Sequence, residues 1–235
     1  MRARNFVGSI VGVFGSLALA SAARAATVVN CIGEQTTITT EGSTSAQNWP
    51  SVLGGLLGAA YTVNNDGVNA GTVIKGTAKS ASSLTGMPGI IVIGPFAEHD
   101  YGAQANITQD QWTTAYKALV DAYLALAPQP QVYVMTPPPA AFVYQSAAEQ
   151  TFATTIVKTA VLSVAGGNNS ANKQLKVIDL FSDATLVAAA DVAGDGHFSA
   201  TGMAEVANLA YKCIAMNMCG STGSTGTGGS GGGAG

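Results

Sequence analysis

The stretch Thr27–Gly42, TVVNCIGEQTTITTEG, opens with six mostly apolar residues and breaks at Gly33 into a polar run rich in Thr and Glu. A short β-rich apolar run closed by a glycine is a buried strand that delivers its carboxyl end into a loop. Runs of the same kind recur at Tyr61–Val63, Ile90–Ile93, Val132–Met135 and Leu175–Leu180. Helix-like segments lie between most of them, at Trp49–Leu57, Gln109–Ala127, Ala147–Val164 and Ala200–Met216. Strands that alternate with helices make βαβ units, so the chain is α/β with a parallel sheet.

Local signals punctuate this pattern. Asn48 precedes Trp49-Pro50 as a cap followed by an early proline, and Thr108 stands three residues before Gln111, the spacing of a capping box. Gly58, and the pair Gly166 and Gly167, are expected to close two helices. Three prolines, Pro137 to Pro139, force an extended loop after the fourth strand. The piece from Thr72 to Gly89 has no clear period. Ligands of an open parallel sheet sit outside the carboxyl ends of its strands. The loops that matter are therefore Gly33–Asn48, Asp66–Gly71, Gly94–Thr108, Thr136–Tyr144 and Ser182–Ser199.

The first residues carry two arginines, an apolar stretch from Phe6 to Ala20 and then Ala23-Arg24-Ala25. That pattern predicts a secretory signal over residues 1–25, with a retained membrane anchor as the alternative. Residues 26–219 are expected to form one domain, and residues 220–235, made of Gly, Ser, Thr and Ala alone, a flexible tail. Without its first 25 residues the chain holds seven Lys, no Arg and thirteen Asp plus Glu, a formal charge of −6. Nucleic acid and anionic membranes are poor partners for such a chain. Cys31 lies in an apolar run and reads as an inert core thiol. Cys213 and Cys219 stand near the end of the last element, where an exported protein can join them. Their spacing suits no metal, and no cofactor is expected.

Only two histidines are available as general bases, His99 and His197. His197 lies in Gly194-Asp195-Gly196-His197-Phe198-Ser199, a loop that runs into the last helix. Asp195 is placed to orient its ring and stabilise the imidazolium, as a triad acid does; a loop histidine without a catalytic role is the alternative. His99, in Glu98-His99-Asp100, is expected to be a charged surface residue on a solvated loop, with part of an acid–base pair the alternative. Convergence of these three consecutive side chains on one metal ion is not expected. Trp49, Trp112 and Tyr144 are expected in the core rather than in a cleft.

The ordered segments CIGEQ…TEG, NWPSVLGGLLG, YTVNNDGVNAGT, IIVIGP, VYVMTPPP, VIDLF and GDGHFSATGMAEVA together resemble the SGNH (GDSL-type) hydrolases, over about Ala26 to Ile214. The resemblance implies a flavodoxin-like three-layer α/β/α sandwich with a five-stranded parallel sheet. It also implies hydrolysis of acyl esters or glycan O-acyl esters. The family uses a serine in a Gly-Asp-Ser turn, oxyanion donors from three blocks and an Asp-x-x-His pair before the last helix.

Several of those positions are substituted here. Gly33-Glu34-Gln35 occupies the nucleophile turn, so Gln35 stands where the serine belongs, and an amide cannot carry an acyl group. The resemblance then leaves Thr36 as the nearest hydroxyl, with Ser43 as the second candidate. In the second block, Ala70 and Gly71 are the candidate oxyanion donors through their backbone N–H groups, provided the turn accepts the Ala70 Cβ. In the third block Phe96 replaces the asparagine donor, and in the last His197 is retained while the acid, Asp195, sits at −2 rather than −3.

The expectation is a monomeric, exported ester hydrolase, at the cell surface, in the periplasm or outside the cell, with weakened or lost catalysis on a small-molecule or glycan ester. A non-catalytic carbohydrate or cell-surface binding protein on the same scaffold is the alternative.

Overall fold

The computed structural model describes residues 25–34, 45–103, 106–139, 146–169, 174–187 and 197–219. Five strands, β1 (Thr27–Ile32), β2 (Tyr61–Asn65), β3 (Ile90–Ile93), β4 (Gln131–Met135) and β5 (Leu175–Ile178), form one sheet in the order β2-β1-β3-β4-β5. Every pairing is parallel. Alternation of side chains sends Ile32, Ile91, Ile93, Val132, Val134, Leu175 and Val177 to one face, and Val29, Cys31, Val92, Tyr133, Met135 and Ile178 to the other. Both faces are buried, which is why these strands are continuous apolar runs rather than alternating ones.

On the first face lie α3 (Gln109–Leu124) and a long helical stretch made of α4 (Ala147–Thr151), a π-helical turn (Phe152–Val157) and α5 (Lys158–Asn169). On the second lie α1 (Trp49–Leu57) and α6 (Ala200–Met216), packed against each other. The result is the expected three-layer α/β/α sandwich. Trp49 and Trp112 are buried in the two cores, as expected; Tyr144 lies outside the described residues. Among the described residues no helix is long and apolar enough to cross a membrane. Residues 1–24 and 220–235, where a signal and a tail are expected, lie outside the described residues as well.

Capping behaves as the sequence requires. The Asn48 side chain accepts the Ser51 N–H at 2.9 Å, Thr108 and Gln111 form the capping box, and Gly58, with φ 71°, terminates α1. Three helical expectations need correction. α3 ends at Leu124 rather than Ala127, because Ala127 precedes Pro128 and is sterically kept from helical geometry. Gly166 and Gly167 do not end their helix, which continues to Asn169. Both glycines are exposed, while Val161, Val164 and Ala165 keep its inner face apolar. Residues Glu98–Ala103, expected as loop, form a short helix, α2. Cys31 is fully buried, and burial, with the Asp66 charge second, pushes its thiol well above its ordinary value. Cys213 and Cys219 are joined, tying the end of α6 to the residues beyond its left-handed cap, Asn217.

The β2-to-β3 connection, residues 66–89, crosses the first face without a long helix. It is held by side chains. Asp66, buried just after β2, accepts from Asn30 Nδ2 and from Thr85 Oγ1 at 3.1 Å, and forms an ion pair with Lys79 Nζ at 3.5 Å. The Tyr123 hydroxyl donates to the Lys79 carbonyl. A polar Asn30 in the middle of a buried strand is tolerated because it donates to Asp66 and to the Thr85 carbonyl.

Candidate active site

From β1 the chain runs outward to β2; from β3 it runs the other way through β4 to β5. The strand order therefore reverses between β1 and β3, and the crevice outside their carboxyl ends is where such sheets bind ligands. The backbone continues the sheet into that crevice. The Val68 N–H donates to the Gly33 carbonyl at 2.9 Å, and the Gly94 N–H to the Ile32 carbonyl at 2.7 Å. The turns that follow β1, β2 and β3 are thereby fixed against one another.

Glu34 is the first side chain after the Gly33 corner, and it is buried. Its Oε1 accepts the Ala97 N–H at 3.1 Å, and its Oε2 accepts the His99 N–H at 3.2 Å. The same Oε2 lies 3.3 Å from His99 Nδ1. One carboxylate thus caps α2, joins the turns after β1 and β3, and orients an imidazole. The His99 side chain keeps 22% of its surface exposed.

Asp100, the next residue, is fully buried and turns away from the crevice. It accepts the Val73 N–H at 3.2 Å, the Ile74 N–H at 3.0 Å and the Trp112 indole N–H at 3.1 Å. Burial raises its carboxyl to about 6; these three donors offset part of that rise, and the Glu34 charge adds to it. The expectation of a solvated, charged loop is overturned at His99 and Asp100. In a chain so poor in charge, buried acids are used to pin loop backbone.

The second block turns sharply at Ala70, whose φ of 54° is left-handed and carries a Cβ at a conformational cost. Its N–H has no acceptor among the described residues. Gly71 is different: its N–H donates to the Val68 carbonyl at 2.9 Å. A donor spent on the turn does not face an oxyanion, whereas the Ala70 N–H is not spent in this way. A side chain at Gly71 would also press its Cβ to 2.9 Å from that carbonyl. Phe96, at the asparagine position of the third block, points into the core on the first face and is 1% exposed.

His197 is 8% exposed and lies just before the Ser199 cap of α6, whose side chain accepts the Gly202 N–H at 3.2 Å. A parallel strand leaves its chain at the carboxyl edge, so the start of α6 is on the same edge as the β1–β3 crevice. α6 also packs against the turn Ser45–Gln47 in the connection that follows β1. Gln35, Thr36, Ser43 and Asp195 lie outside the described residues. The structure therefore brings Glu34, Ala70, His99 and His197 to one edge of the sheet. Segment order names His197 and Ala70 for this site, whereas Glu34 reads in sequence only as a turn residue. A charged side chain immediately after a buried strand is the signal that marks it.

No family model matches the sequence, and no curated protein matches it. Solved structures do match the fold. An inhibitor-bound aryl esterase of M. smegmatis superposes with a TM-score of 0.62 at 20% identity, over 81% of this chain and 99% of that one. A carbohydrate acetylesterase family member from Sinorhizobium meliloti gives 0.59 at 16%, over 81% and 98%. A lipolytic protein of the G-D-S-L family from Desulfitobacterium hafniense DCB-2 gives 0.54 at 18%, over 79% and 98%. The chain has the fold these proteins share.

Proposed function

We infer that this chain, built on the SGNH hydrolase fold, is an exported, monomeric ester hydrolase for small acyl esters or O-acylated glycans. The reading rests on one observation: a buried imidazole, His197, at the start of the last helix, on the edge of the sheet that carries the β1–β3 crevice. In this reading His197, oriented by Asp195, takes the proton of an attacking hydroxyl, for which Thr36 is the first candidate and Ser43 the second. Ala70 supplies the remaining backbone donor to the oxyanion. With Phe96 turned into the core, one side-chain donor is missing, a loss of ~10²–10³-fold in turnover. Hydrolysis of short-chain aryl esters by the purified protein, compared with His197→Ala, tests the reading. The variant is expected to lose at least ~10²-fold in rate, and equal rates for the two proteins would refute it.

A second reading, a binding protein for acylated or unmodified glycans, is favoured by the core position of Phe96 and the occupied Gly71 N–H. Labelling of any hydroxyl between Gly33 and Ser45 by a fluorophosphonate counts against it. Turnover of acetylated glycan by the wild-type chain would remove it.

A further inference from the structure

We propose that Asp100 is a proton-operated latch: its neutral carboxyl keeps α2 and the connection at residues 66–89 closed at the side of the β1–β3 crevice, and its ionisation lets them open. The latch is independent of the hydrolase reading and holds whether or not the chain turns over an ester.

Three observations carry it. The first is convergence. One fully buried carboxyl group accepts the Val73 and Ile74 N–H groups of the connection and the Trp112 indole N–H of α3, at 3.0 to 3.2 Å, and so ties α2 to both neighbours. The second is how little else holds these segments. α2 is six residues long, and the connection has no long helix. Residues 75–77, 82–83 and 85–87 are exposed, while Val73 and Ala78 reach the core. Apart from Asp100, the connection is fastened by the Tyr123 hydroxyl on the Lys79 carbonyl and by Asp66 with Thr85 and Lys79. Segments with few buried apolar side chains open ahead of the whole domain.

The third is the absence of a compensating cation. The charge that acts on Asp100 is another carboxylate, Glu34, at the start of α2. On the surrounding elements, Lys75 is exposed, Lys79 pairs with Asp66 and Lys117 with Asp121. Burial keeps the Tyr116 and Tyr123 hydroxyls of α3 protonated. His99, beside Asp100 on α2, faces Glu34. The helical stretch that meets α2 through Phe152 and Tyr101 carries Glu149, which is buried, and Lys158, which lies over the Phe181 ring. An ionised carboxylate in such a place lacks the water and the cation that would stabilise it.

Closed, the Asp100 carboxyl stands at about 6, because burial outweighs the three donors. Open, it meets water and returns toward its ordinary 3.8. The closed state therefore binds the proton more tightly. The latch is fully engaged below the lower value and released as pH rises through the higher one. From pH 5 to 7 the open fraction should rise about tenfold.

Amide exchange followed by nitrogen-15 NMR on the full-length protein, with intrinsic exchange rates divided out, tests the latch. Protection at Val73 and Ile74 is expected to fall about tenfold from pH 5 to 7 in wild type and to stay level in Asp100→Asn. It is also expected to lie at least ~10²-fold below that of the strand amides Ile91 and Val134. A level wild-type profile, or a fall that Asp100→Asn reproduces, overturns the latch. Protection at Val73 and Ile74 equal to that of the strands means that they open only with the whole domain, which overturns it as well. Carbon-13 NMR of the wild-type carboxyl needs no variant: a midpoint at the ordinary 3.8 overturns the latch even if Asp100→Asn does not fold. Ester turnover enters none of these readouts, so loss of the hydrolase reading leaves the latch standing.

Discussion

Replacing Asp100 by Ala removes the acceptor of three buried or half-buried donors at once and tests how the site is held. The Val73 and Ile74 N–H groups and the Trp112 indole N–H all end on its carboxylate, at 3.2, 3.0 and 3.1 Å. Each buried donor left without a partner costs about 1–3 kcal/mol, and because the three share one site and relax together the total expected is about 3–5 kcal/mol. That is a large part of the roughly 5–15 kcal/mol that holds a domain folded. A second arm uses pH. The carboxyl stands at about 6 in the folded protein against an ordinary 3.8, so between these values the folded state binds the proton more tightly than the unfolded state. Its contribution to stability is therefore full below the lower value and lost as pH rises through the higher one. From pH 7 to 4.5 the wild-type protein should gain about 2 kcal/mol relative to Asp100→Asn, which cannot titrate. Urea unfolding followed by tryptophan fluorescence measures both arms. A cost below about 1 kcal/mol for Asp100→Ala would show that the three donors do not depend on this carboxylate. Parallel pH dependences for wild type and Asp100→Asn would show that burial does not raise its pKa.

Ala70→Gly relieves a left-handed alanine at φ 54°. The relief, about 1–2 kcal/mol, exceeds the extra chain entropy of glycine, so thermal unfolding should shift up by about 2 °C; a lower midpoint would contradict the turn geometry. Phe96→Asn should not restore an oxyanion donor, because residue 96 faces the core. It should instead cost about 3–5 kcal/mol, and a faster enzyme would show that this side chain reaches the crevice. Cys219→Ser opens a short closed loop at the end of α6 and should lower stability by about 2 kcal/mol in a denaturant titration under oxidising conditions.

The strands were legible because both faces of the sheet are buried, so each strand had to be an apolar run bounded by polar residues. The capped helices were legible because Asn48 and Thr108 do local work that local sequence reports. What failed had a non-local cause. α2 lacks an apolar period of its own. It forms because Glu34, 65 residues upstream of His99, caps it, and because Asp100 finds donors in the β2-to-β3 connection. The π-helical turn is likewise unmarked in sequence; its Phe152 ring packs 5.8 Å from Tyr101 of α2. At the candidate site, His197 and Ala70 could be named from segment order. The occupied Gly71 N–H, the inward Phe96 and the Glu34–His99 pair required knowing which loops meet.

Under the hydrolase reading, those meetings bear on which esters the crevice would favour. The N–H groups of Ala97 and His99, which open α2 toward the β1–β3 crevice, are taken by the Glu34 carboxylate. A negative charge therefore stands at the helix end that would otherwise attract a developing oxyanion. Together with the engaged Gly71 and the inward Phe96, this leaves only the adjacent Asn69 and Ala70 N–H groups of the second block's turn, Asp66 to Gly71, without an acceptor among the described residues. In that reading stabilisation of the tetrahedral adduct would be weak, whereas a carboxylate-oriented base would supply ~10²–10⁴-fold on its own. A site strong in base and poor in oxyanion donors gains most on esters whose leaving group already carries the developing charge. Rates should therefore rise steeply from alkyl to aryl acetates. A flat dependence on leaving-group acidity would mean that an oxyanion hole is completed by groups other than these.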